Sequence, residues 1–113
     1  NSGYLRLAGM SASWLLGNNA AGATMYDSAS GRCYDGIRDS TTINRNSGAE
    51  STIEALGTLV ELEAYPRAMA YVRSRRVGGS SMLPRVTGVF ELSGGKRVVL
   101  HIDAEQRRFW FEE

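Results

Sequence analysis

The chain has 113 residues, and its 13 basic and 12 acidic side chains leave a net charge of +1. That length holds one small domain with a modest core, and the charge balance gives no electrostatic reason to expect nucleic acid or an anionic membrane as a partner. One cysteine, Cys33, and one histidine, His101, exclude an internal disulfide, form no nucleophile–base pair and lack the spacing of a metal site, so no metal or cofactor is expected.

No apolar run approaches the roughly 20 residues of a membrane span, and no signal peptide is visible. The chain starts at Asn1, without a methionine and close to a helical pattern, which points to a piece of something longer. The first pattern runs over residues 4–16. Tyr4, Leu7, Ala8, Ser11, Trp14 and Leu15 follow the i, i+3, i+4, i+7 rule and predict one buried face, with Arg6, Gly9 and Ser13 away from it. Gly17, Asn18 and Asn19 then read as a helix stop.

A second helix is predicted over residues 48–64. Its stripe is Ile53, Leu56, Leu59 and Val60, widened by Ala55 and Leu62. Ser47 and Glu50 match the S-x-x-E capping box, so Ser47 is expected at the N-cap. Pro66 closes this helix by disfavouring helical geometry at Tyr65. Residues 67–77 fit a short helix or a strand, with helix preferred. Arg73, Arg75 and Arg76 read as a solvated basic face. Gly78-Gly79-Ser80-Ser81 looks like a linker. Three strands follow, 85–92, 97–103 and 107–112, joined by turns at Ser93-Gly94-Gly95-Lys96 and Asp103-Ala104-Glu105-Gln106. On the last strand Phe109 and Phe111 share one face and Trp110 takes the other.

The segment from Gly17 to Gly48 has neither helical nor alternating period. Loops of that length inside small domains are functional or disordered, and Met25, Tyr26, Cys33, Tyr34 and Ile37 are anchors that disorder would lack. Tyr26, Asp27, Tyr34, Asn44, Arg45 and Asn46 are the groups that stack on and hydrogen-bond to a polyhydroxylated ligand. Each also has a plainer role. Asp27, Asp35 and Asp39 fit turn positions, Asn44 and Asn46 can bond local backbone, and Glu50 fits the capping box. Trp14 reads as core, and Cys33 as a small buried hydrophobe.

The strings Trp14-Leu15-Leu16-Gly17-Asn18-Asn19, Met25-Tyr26-Asp27, Gly31-Arg32-Cys33-Tyr34-Asp35-Gly36 and Asn44-Arg45-Asn46-Ser47-Gly48-Ala49-Glu50-Ser51-Thr52, taken together, resemble the C-terminal end of the (α/α)6 toroid of bacterial carbohydrate-active proteins. These are six-hairpin, glycosidase-like domains. The resemblance covers about the first 65 residues. It implies sugars as the substrate class and makes Asp35 and Glu50 the acidic positions to test. Glycoside hydrolysis needs one carboxyl group as acid and a second as base or nucleophile. Glu50, at a helix N-terminus, suits the anionic role. Asp35 is the candidate proton donor if aromatic burial raises its pKa.

The expected fold class is α+β. Residues 1–65 would form a helical hairpin with a long crossing loop, 66–84 a connector, and 85–113 a small antiparallel β meander. The expected function is the C-terminal part of a glycoside hydrolase-like protein acting on a polysaccharide or oligosaccharide, needing the rest of the toroid for activity. The alternative is a non-catalytic interaction or assembly module. Partners are carbohydrate and either the remainder of a longer chain or further copies of this one, because an isolated helical hairpin leaves its inward face uncovered.

Overall fold

A computed structural model describes residues 2–113. It is an α+β fold of three helices and a four-stranded antiparallel sheet, with two small hairpins between the first and second helices. Helix α1 covers Ser2–Ala12 and tightens into a 3₁₀ turn over Ser13–Leu16, which stops at Gly17 with φ 122°. Helix α2 spans Ala49–Glu63 and α3 Pro66–Val72. Tyr65 is extended between them, and Pro66 opens α3 at its first turn, where the missing N–H costs nothing.

The short hairpins pair β1 (Tyr26–Asp27) with β2 (Arg32–Cys33) and β3 (Gly36–Asp39) with β4 (Thr42–Asn44). The main sheet runs β5 (Arg75–Ser80), β6 (Arg85–Glu91), β7 (Arg97–Asp103), β8 (Arg108–Glu112) in sequence order. The three strands expected from pattern are present. The fourth, β5, replaces the expected linker at Gly78-Gly79-Ser80-Ser81. Gly79 has φ 136°, and a Cβ there would lie 2.2 Å from the Thr87 carbonyl oxygen. Glycine is used here to press β5 against β6 at a register shift, not to give slack. The span 66–84 therefore holds a helix and a strand of the fold rather than a connector.

Three apolar clusters hold the layers together. Met10 of α1 and Tyr71 of α3 meet Phe90, Val98 and Leu100, with Leu7, Phe109 and Phe111 around them. Alternation along the strands explains this face: Val98 and Leu100 point in, while Val99 and His101 point out. On β8 Phe109 and Phe111 face the core and Trp110 the other side, as the pattern requires. Ala12, Leu62, Ala68 and Val72 join the helices in a second cluster. Met25, Cys33 and Ala55 form a third beneath the hairpins.

Helix α1 packs chiefly on α3 and only lightly on α2. Its buried face differs from the expected one. Gly9, Met10, Ala12 and Ser13 are buried, whereas Tyr4, Ala8, Ser11 and Trp14 are exposed. The reason is steric. A Cβ on Gly9 would sit 2.1 Å from the Ala68 carbonyl oxygen, so the helices cross where α1 has no side chain. On α2 only part of the expected stripe is buried. Ala55, Leu59 and Leu62 face inward, while Ile53 is 66%, Leu56 45% and Val60 57% exposed.

Asn18 fixes the helical layer to the sheet. Its Nδ2 donates to Ser13 Oγ at 2.8 Å and to the Ser74 carbonyl at 2.9 Å, and its Oδ1 accepts from the Arg76 N–H at 2.8 Å. Ser13 Oγ donates in turn to the Met10 carbonyl, and Ser74 Oγ to that of Tyr71. Asn19 closes its own loop, donating to the Trp14 and Ala23 carbonyls and accepting from Ala21 and Ala23 N–H groups.

Two stability predictions follow from these contacts. Asn18→Ala leaves part-buried donors and acceptors on both layers unpaired and should cost roughly 1–3 kcal/mol, read as a lower denaturant midpoint at unchanged slope. Gly9→Ala forces α1 and α3 apart and should cost about 1–3 kcal/mol. A Gly9→Ala protein with the wild-type midpoint would refute the close crossing.

Candidate functional site

The long polar segment is ordered by its own short side chains. Asp27 accepts from the Ala29 N–H (3.0 Å) and the Ser30 hydroxyl (2.8 Å), and Gly31, with φ 72°, closes that turn through a bond to the Asp27 carbonyl. Asp39 does the same work in the second hairpin, accepting from Thr41 N and Thr41 Oγ1, both at 2.9 Å. These are the side-chain turns that aspartate favours. Both carboxyl groups have lowered pKa values because those hydrogen bonds favour the anion. The Met25 N–H bonds to the Leu15 carbonyl, tying the first hairpin to the end of the 3₁₀ turn.

Cys33 is buried against Met25 and Ala55, as a small hydrophobe would be. Burial, and then the charge of Asp35, pushes its thiol pKa up. Such a thiol is a poor nucleophile. His101 lies elsewhere, stacked on Trp110 at 4.9 Å and hydrogen-bonded to Glu112 at 2.8 Å.

The entry to α2 departs from the expected capping box. The N-cap residue is Gly48, with no side-chain cap of its own. The Ser47 hydroxyl instead donates to the Cys33 carbonyl at 2.8 Å and lies 3.3 Å from Thr52 Oγ1. Capping falls to Asp35, whose Oδ1 accepts the Gly48 N–H at 2.8 Å from 13 positions upstream. The Asp35 N–H bonds to the Asn46 carbonyl, so the two segments run together. Asp35 is thus a long-range cap at the positive end of α2.

This geometry corrects the idea of Asp35 as proton donor. Its carboxyl group is exposed rather than enclosed by aromatic rings. The Gly48 N–H, then the Ser51 hydroxyl, lower its pKa. It is an anion, suited to holding a donor or a positive charge. Glu50 stands in the first turn of α2, exposed, between the two residues that contact Asp35.

The predicted ligand-contacting residues separate into two groups. Tyr26 packs on the third cluster and Asp27 is committed to its turn. Tyr34, Asn44, Arg45 and Asn46 come together at the second hairpin. The Arg45 guanidinium lies 5.4 Å from the Tyr34 ring centroid. The Asn44 side chain accepts the Asn46 N–H at 3.1 Å, the local role open to it. Arg38, Thr42, Ile43, Asn44, Arg45 and Asn46 line a shallow depression of about 350 Å³. Arg38 was not singled out by pattern. The register shift between Ile37 and Asp39 places it at a β-bulge, a device that re-aims a side chain. The one signal available was an arginine between an apolar residue and a turn aspartate. Among the described residues no group of His, Cys, Asp and Glu is arranged to hold a metal ion, and no helix is long and apolar enough to cross a membrane.

The capping role carries a pH signature. A carboxyl group whose folded pKa is depressed stabilises the fold above its unfolded value and loses that contribution as pH falls through the folded one. Asp35→Ala should therefore be less stable than wild type at neutral pH. The gap should narrow as pH falls below the ordinary value of 3.8 toward the lower folded one. Asp27 and Asp39 are common to both proteins and cancel in the comparison. A gap independent of pH would remove Asp35 from the cap.

Comparison of the chain with models of protein families, with curated proteins and with solved structures finds no match in any of the three.

Proposed function

We propose that this chain is the terminal unit of a toroid-type, glycoside hydrolase-like carbohydrate-active protein, in which it contributes saccharide contact and a wall for neighbouring helices. The observation that carries this reading is the pair of uncovered apolar helix faces. Tyr4 and Trp14 on the first helical segment and Ile53, Leu56 and Val60 on α2 are exposed. A groove of about 520 Å³ separates the first helical segment from a different side of α2, lined by Ala8, Trp14, Leu15, Thr58, Glu61 and Leu62 among others. Surface helices of a finished domain bury such stripes, and grouped exposed apolar residues mark docking surfaces. The polarity of these faces supports packing by further helices of the same toroid. The resemblance of residues 14–52 supports the sugar assignment, as do the amide, guanidinium and aromatic groups of the second hairpin.

Within that reading Asp35 and Glu50 serve as anions at one end of α2, and the proton donor for glycoside cleavage comes from another part of the assembly. The second reading is a non-catalytic assembly module. Its specific support is that Asp35 is fully accounted for as a helix cap.

The test uses the chain itself. Sedimentation at micromolar concentration should show self-association through the bare faces, and Ile53→Glu with Val60→Glu should return the monomer. Titration with an oligosaccharide panel, followed by amide NMR, should move signals of residues 34–50. Association without any saccharide response favours the assembly module, and a chain that neither associates nor responds defeats both readings.

A further inference from the structure

The second hairpin gathers several donor side chains around one depression. Arg38 and Arg45 line the same depression, and neither takes part in an ion pair among the described residues. The acidic groups nearest Arg38 in sequence are engaged, Asp39 with Thr41 and Asp35 with Gly48. Asn44 uses its Oδ1 on the Asn46 N–H, so its amide offers the depression an NH₂ group. Two guanidinium groups and an amide NH₂ are all donors. The floor beside them is Ile43, half-buried and apolar.

A neutral sugar offers hydroxyls that both donate and accept, with no charge to match the two guanidinium groups. A carboxylated sugar supplies an acceptor-only, planar anion that a guanidinium grips with two parallel bonds. Two features hold the arginines in advance. Arg45 lies over the Tyr34 ring, a cation–π contact that restricts it. Arg38 occupies the bulge, which turns it out of the strand ladder. The volume of about 350 Å³ is at the lower end for small-ligand sites.

We infer that the Arg38–Arg45 depression takes the carboxylate of a uronic acid residue, so the ligand is an acidic rather than a neutral saccharide. This rests on the saccharide reading above and narrows it.

The experiment titrates the chain with tetragalacturonate and with the methyl ester of the same oligomer, by calorimetry at low ionic strength and by amide NMR. The acid should bind at least about tenfold more tightly than the ester, as loss of one charged hydrogen-bond pair implies. Arg45→Gln and Arg38→Gln should each weaken the acid by about tenfold and leave the ester nearly unchanged. Arg107→Gln, a distant exposed arginine, should change neither, and thermal midpoints verify that all three variants fold. Ester and acid binding equally would overturn the carboxylate while leaving a saccharide site intact. Acid binding that is equally insensitive to Arg38→Gln and Arg45→Gln would overturn the location. Binding of neither oligomer, while the neutral panel still moves residues 34–50, would overturn the acidic ligand alone. Silence of every saccharide would defeat the broader reading.

Discussion

The side chain of Asn18 is the joint on which the two layers of this fold depend. It uses both amide hydrogens and its oxygen on three backbone or side-chain partners, one in the 3₁₀ turn and two at the start of β5. A part-buried amide with every group satisfied specifies one arrangement, because any shift of helix against sheet leaves an unpaired polar group. The apolar clusters supply most of the driving force. They do not by themselves fix the register between the helical layer and β5, whereas the amide does.

The same economy governs the long polar segment. Its order comes from short side chains closing turns: Asp27, Asp39 and Asn19 each bond backbone within a few residues. Asp35 extends the principle across 13 positions to cap α2. The segment thus becomes two hairpins seated on Met25, Cys33 and Ala55. The same hydrogen bonds lower the pKa values of Asp27, Asp35 and Asp39. A carboxylate that organises N–H groups is held in its charged form.

The exposed faces of α1 and α2 and the donor-rich hairpin differ in chemical character. The helix faces carry exposed apolar side chains. The hairpin is cationic and amide-bearing. The outer face of the main sheet has a third character. Trp110 is stacked on His101, with Arg108 at 4.9 Å, and Glu91 bridges Arg75 and Arg97. These contacts satisfy one another across neighbouring strands and account for that face as a solvated surface.

Sequence by itself determined the elements whose pattern is local. Strands β6, β7 and β8, the turns between them, the stop at Gly17 and the break at Tyr65-Pro66 follow from alternation, glycine and proline chemistry, and the structure reproduces them. Of the polar residues singled out together by pattern, the structure puts Tyr34, Asn44, Arg45 and Asn46 near one another and Tyr26 and Asp27 in the first hairpin. Only the tertiary structure decided which faces are buried. Helix α2 carries two apolar stripes, Ile53-Leu56-Val60 and Ala55-Leu59-Leu62, and its sequence gives no reason to prefer the second. The choice was made by α3, which meets α1 at Gly9 and draws Ala12 and Leu62 together. Tertiary structure also moved the cap of α2 from Ser47 to Asp35, because the Cys33 carbonyl claims the serine hydroxyl and the hairpins bring a carboxylate to Gly48. It made a strand of Gly78-Gly79, because β6 offers an edge that only a residue without a Cβ can approach so closely. In each case the deciding contact joins residues distant in sequence, and such contacts leave no local pattern to read.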